Sequence, residues 1–163
     1  MLEREPSTLA PAITFSTDEQ GLTLAGLHMH IGSGVDYTHL QEVCHAMVAL
    51  VQRAGTDLQA ISAGGGLSIP YRAGDPRIDT AHYFSLWDAA RRSIAAHLGH
   101  AVHLEIEPGR FLVAEAGVLV TEVRATKSMG SNRFTLVDAG FSDLMRPSMY
   151  GAFHSMRDRK SVV

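Results

Sequence analysis

The sequence predicts an α/β fold built on parallel strands, followed by a β-rich segment. Short apolar runs that read as strands alternate three times with stretches of helical periodicity, at intervals of about 35–45 residues. Each of those strands runs into a glycine-containing loop. After Gly117 the texture changes to strand, turn and strand, with no helix between them. Consecutive parallel strands need right-handed crossovers, so every loop that follows a strand falls at one end of the sheet.

Residues 1–20 are mixed and polar, with Pro6 and Pro11, and give no period. LTLAGLHMHIG, Leu22–Gly32, reads as the first strand. Up to Gly55, the apolar residues Leu40, Val43, Met47, Leu50 and Val51 then recur at helical spacing. Thr38 with Gln41 three residues later offers a capping box at the start of that helix. LQAISAGGG, Leu58–Gly66, is a second short strand that ends in three glycines and leads into an irregular loop. The next helix is predicted from about Thr80 to Leu98, with Tyr83, Trp87, Ala90, Ile94 and Leu98 on one stripe and Gly99 to stop it. AVHLEIEPG is the third strand, alternating Val102, Leu104 and Ile106 with His103, Glu105 and Glu107 until Pro108-Gly109 breaks the pattern.

Composition narrows the function. The chain has 163 residues, is 45% hydrophobic and carries a net charge of −3. That is enough apolar material for a core, and without a Lys/Arg run it argues against nucleic acid or an anionic membrane as the main partner. The single cysteine, Cys44, excludes an internal disulfide framework. No apolar run approaches the ~18 residues of a membrane span and the first residues hold no signal-peptide core, so a cytoplasmic protein is expected.

Three loops are candidate chemistry. His28 and His30 sit two apart on an apolar strand, a spacing that puts both on one face and suggests metal ligands. A metal site needs further ligands, and His39, His45, His82 and His97 lie on or near the predicted helices. The plainer reading of His28 is a satisfied core histidine. Gly64, Gly65 and Gly66 after an apolar strand offer an anion cradle, and equally a turn that needs positive φ. The triplet lacks the residues of a nucleotide P-loop or a dinucleotide fingerprint. EPGR places Glu107 and Arg110 either side of a Pro-Gly turn. Alone that is a surface salt bridge, but at a third strand end it brings a carboxylate and a guanidinium to the same loop cluster.

GLHMHIGSGVDY, AISAGGGLSIPY, LEIEPGRFLVAEAG and VDAGFSDLMRPSMYGAFH, in that order, resemble the diaminopimelate decarboxylases, and among them the enterobacterial type. These are fold-type III enzymes dependent on pyridoxal 5'-phosphate, and the resemblance spans roughly residues 21–154. It implies part of an alanine-racemase-like β/α (TIM) barrel over residues 1–116, the start of a C-terminal β-domain over 117–157, and conversion of meso-2,6-diaminopimelate to L-lysine and CO2. By matching position it implies that His30 stacks on the cofactor ring with Ser33 beside it. Gly64, Gly65, Gly66 and Gly109 with its neighbour Pro108 match the phosphate-binding segments, and Glu107 matches the partner of the pyridine nitrogen. Arg110, Arg146 and Tyr150 match substrate-binding residues, Arg110 also lying beside the cofactor. The family is homodimeric, and its Schiff-base lysine and catalytic cysteine have no counterpart in this chain, whose only lysines are Lys127 and Lys160. No catalytic residue is therefore assigned, and the isolated chain is expected to be inactive and marginally stable. The last six residues, DRKSVV, match what one frame of a common sequencing adaptor encodes, and 158–163 is expected to be a non-native tail. Related ornithine, arginine or carboxynorspermidine decarboxylases, and a non-catalytic binding module, are the alternatives.

Overall fold

The computed structural model describes residues 21–158 apart from Ile31, Ser33 and Val35. The expectations for residues 1–20, and for the 158–163 tail beyond Asp158, lie outside them. The chain divides into two compact units. The first runs up to Ile69 and resumes over Arg77–Val113, and the second joins Pro70–Pro76 to the residues from Ala114 on.

The first unit contains the predicted alternation. Strands β1 (Gly26–His28), β2 (Ala60–Ser62) and β3 (His103–Glu105) form a parallel sheet in that order. Helices α1 (Tyr37–Ala54) and α2 (Thr80–Leu98) make the two crossovers. The strands are shorter than their apolar runs, but single bonds prolong the pairing: Met29 N–H donates to Ser62 O, Ala63 N–H to Glu105 O and Glu107 N–H to Gly64 O.

Both helices are fixed by their ends and their stripes. The expected capping box at Thr38 is not used. Asp36 caps α1 instead, its carboxylate two residues earlier accepting from Thr38 N–H at 2.9 Å and so satisfying an open donor of the first turn. Asp79 caps α2 by accepting from His82 N–H, and Gly55 and Gly99 end the two helices in the left-handed conformation. Leu40, Val43, Met47 and Val51 of α1 are buried with Tyr83, Trp87, Ala90 and Ile94 of α2. Cys44 joins them, where burial pushes its thiol up to about 11, so it is core rather than a nucleophile.

Register then sorts the strand residues. Leu27, Ile61 and Leu104 stand in one row, Ile61 fully buried and the other two packed against the helix core. The next row, His28, Ser62 and Glu105, points to the opposite face by the pleat. Met29 and Ala63 return to the helix side, so His30, Gly64 and Glu107 follow His28 and Ser62 on the face away from the helices. At the N-terminal end of the sheet, ahead of β2 and β3, His100 turns both ring nitrogens to acceptors, Asp57 Oδ1 at 2.5 Å and Ala101 O at 2.9 Å. Those bonds raise the imidazole above its ordinary range and lower Asp57 below the usual carboxylate range.

The second unit holds an antiparallel hairpin, β4 (Val123–Met129) and β5 (Asn132–Val137), turning through Gly130 with φ +59° and bulged between Val123 and Ala125. Every residue of both strands is exposed. Two short helices were not expected: α3 (Gly109–Val113), which belongs to the first unit, and α4 (Arg146–Tyr150), which belongs to the second. In α4, Pro147 occupies the first helical turn, where its missing N–H costs nothing, and Gly151 closes the end with φ +60°.

Candidate functional site

The loops after β1, β2 and β3 meet at the C-terminal end of the parallel sheet. His30, Gly65, Gly66, Glu107, Pro108, Gly109 and Arg110 line one cleft of about 210 Å³, with Leu67 as an apolar wall that the sequence did not single out. This volume lies below the roughly 300–1,000 Å³ of complete ligand sites, as befits walls drawn from three strand ends.

His30 is held by the glycine loop. Gly65 N–H donates to His30 Nδ1 at 3.2 Å, so a neutral His30 carries its proton on Nε2. The glycines are there for close approach. A Cβ on Gly65 would lie 2.8 Å from Glu107 O and 3.3 Å from His30 Cε1, and one on Gly64, whose φ is +65°, would run into Met29 O. Gly66 also has positive φ, +94°. The amides of Gly64, Gly65 and Gly109 donate to Ser62 Oγ, His30 Nδ1 and Glu107 O. The Gly65 bond joins the β2 loop to the β1 loop, while the Gly64 and Gly109 bonds tighten their own turns.

His28 is not the core histidine expected from the sequence: it lies on the sheet face away from the helices, exposed, next to this cleft. Its Nδ1 is 3.2 Å from Ser62 Oγ and 3.5 Å from Glu107 Oε1. Strand parity was the available signal, since His28, Ser62 and Glu107 fall on one face as soon as the register is known. Among the described residues no three His, Cys, Asp or Glu side chains gather to hold a metal ion.

Arg146 and Tyr150 belong to the second unit. The Arg146 guanidinium donates through Nη2 to Tyr71 OH at 3.3 Å and lies 5.6 Å from that ring's centre, while its Nε is buried without a partner. Tyr71 was a residue the motif reading quoted without a role. His154 meets the same ring edge-on at 6.0 Å, and Tyr150 is exposed. Ser33 lies outside the described residues.

A flat, anionic pyridine cofactor fits the cleft chemically. The pinned imidazole supplies an aromatic face, Glu107 a carboxylate acceptor, Arg110 a cation, and Gly65, Gly66 and Gly109 a wall without side chains. No helix among the described residues is long and apolar enough to cross a membrane.

Known proteins point the same way. Diaminopimelate decarboxylases from Streptomyces coelicolor and Escherichia coli are 69% and 64% identical over 84% and 88% of this chain. A crystal structure of diaminopimelate decarboxylase superposes with a TM-score of 0.87 at 63% identity over 91% of the chain. That of the Helicobacter pylori enzyme complexed with L-lysine does so at 0.73 and 30% over 92%. The chain spans only about a third of each of these proteins, 31% and 34% of the two sequences and 35% and 37% of the two structures. Residues 5–114 match the family described as pyridoxal-dependent decarboxylase, pyridoxal binding domain, and to that family the chain belongs.

Proposed function

We propose that this chain is the cofactor-binding part of a diaminopimelate decarboxylase, which in complete form removes CO2 from meso-2,6-diaminopimelate to leave L-lysine. The observation that carries the reading is the convergence of His30, Glu107, Arg110 and the glycine loops at the ends of three consecutive parallel strands. The strands and α1 and α2 are taken as part of a β/α barrel over residues 1–116, whose sites form at this end. Residues 117–157 are taken as the opening of a β-domain, which suits a hairpin that buries none of its own residues. The complete enzyme is taken as a cytoplasmic homodimer.

Pyridoxal 5'-phosphate, when bound, supplies the electron sink for the pair left by departing CO2. His30, its ring fixed by Gly65 N–H, covers one face of the flat group. The Glu107 carboxylate accepts from the pyridine nitrogen and keeps a proton there. Gly64, Gly65 and Gly66 with Pro108 and Gly109 form the backbone wall around the phosphate, and Arg110 and Ser33 lie beside the cofactor. Arg110 also reaches the substrate. Arg146 takes a substrate carboxylate through the paired N–H groups of its guanidinium, and Tyr150 lies with it.

Lys127 and Lys160 both fall beyond the residues of the first unit, which therefore offers no lysine to anchor the cofactor covalently. The chain alone is expected to release no CO2 from meso-2,6-diaminopimelate. Grafted in place of the matching segment of the Escherichia coli enzyme, it is expected to support that release in preference to release from ornithine or arginine. Release by the chain alone, or preference for ornithine or arginine in the graft, would contradict the reading.

A further inference from the structure

We infer that His28 is a positioning residue: its Nδ1–H holds the Glu107 carboxylate, with Ser62 as the buried anchor, so that His28 and His30 work as opposite tautomers on one strand. The inference rests on the reading of Glu107 as the partner of a pyridine nitrogen.

Three contacts carry it. His28 Nδ1 faces two oxygens, Ser62 Oγ at 3.2 Å and Glu107 Oε1 at 3.5 Å. An ionised carboxylate can only accept, so the nitrogen turned towards it carries the proton. The hydroxyl is compatible with that, because Ser62 Oγ accepts from Gly64 N–H at 3.2 Å and has a second lone pair for His28. Ser62 is buried, 8% exposed, and sits on the central strand, so it gives the imidazole a fixed point.

His30 is set the other way round. Its Nδ1 accepts from Gly65 N–H, which leaves Nε2 as the protonated nitrogen. Two histidines on the same face, one strand step apart, thus meet opposite demands. His28 presents a donor to a carboxylate, and His30 accepts from a loop.

The contact to Glu107 is long and half open to water, with the two side chains 50% and 61% exposed. Its consequence is orientation rather than stability. A carboxylate on the turn before Gly109 has several rotamers, and the His28 donor selects among them. Glu107 N–H bonded to Gly64 O at 2.8 Å fixes the backbone of the same residue, so backbone and side chain are each tied to a different strand end.

Long-range proton–nitrogen NMR on the 163-residue chain labelled at histidine reads the tautomers directly, without cofactor. The expected result at pH 8 is a proton on Nδ1 of His28 and on Nε2 of His30. Glu107→Gln should move the His28 signals and leave those of His30. A second arm adds pyridoxal 5'-phosphate labelled at its ring nitrogen. His28→Ala should lower the protonated fraction of that nitrogen, and His28→Asn, which keeps an N–H donor near the Nδ1 position, should restore it. A His28 proton on Nε2, His28 signals indifferent to Glu107→Gln, or a ring nitrogen indifferent to His28→Ala would each overturn the inference. If the unsubstituted chain leaves the labelled cofactor unbound, the cofactor reading of the cleft fails, and the tautomer arm alone decides whether His28 holds Glu107.

Discussion

Gly64→Ala is expected to unfold the loop end of the sheet and to abolish any binding in the cleft. Two costs add at this residue. A left-handed φ of +65° costs an L-residue about 1–2 kcal/mol. The new methyl would also run into Met29 O, a backbone atom that cannot rotate away, and overpacking of this kind costs roughly 1–3 kcal/mol. Relief requires the β1 end to part from the β2 end, which breaks Met29 N–H to Ser62 O and Gly65 N–H to His30 Nδ1. Gly55→Ala is the matched control, because Gly55 has φ +60° with nothing within 4 Å of the added Cβ. Denaturant unfolding of the two variants should show Gly55→Ala losing only the backbone cost and Gly64→Ala distinctly more. Equal losses would mean that the close approach of the β1 and β2 ends is not as described.

Trp87→Ala is expected to remove cooperative unfolding of the first unit. Trp87 is fully buried at the middle of α2, on the stripe that meets Leu40, Met47 and Val51 of α1 and Ile61 of the central strand. Truncating a buried tryptophan costs about 3–5 kcal/mol through lost burial and the cavity left behind. Whole domains hold only about 5–15 kcal/mol, so a loss of this size is a large share of what holds the unit together. Circular dichroism during thermal unfolding should show a sharp transition for the unsubstituted chain, a shallow one for Trp87→Ala, and an intermediate midpoint for Trp87→Phe. A sharp transition within a few degrees of the parent would show that the two helices are not packed through this residue.

Much of the first unit could be read from the residues because its signals are local. The stripe from Tyr83 to Leu98 and the glycine after it gave α2 its limits, since a period of 3.6 and a left-handed stop depend on neighbours in sequence. Parallel order followed from alternation, and with it the meeting of HIGSG, GGG and EPGR. What escaped depended on contacts across the chain. Cys44 rather than the half-buried Leu50 completes the core stripe of α1, because the side on which the helix packs, and not its period, decides between them. The bond from Gly65 N–H to His30 could not be read, because that partner lies 35 residues away and only register brings it near. Tyr71, in a loop bounded by Pro70 and Pro76 with no period, gave no hint of its contact with Arg146.

The central claim is that the three strand-end loops form one pyridoxal phosphate site. Amide NMR of the 163-residue chain during titration with pyridoxal 5'-phosphate tests it most directly. The account predicts saturable shifts at Gly65, Gly66, Glu107, Gly109 and Arg110 together with the His30 ring, and their loss in Gly64→Ala. Shifts spread over α1, α2 and the hairpin, or none at millimolar cofactor, would contradict it.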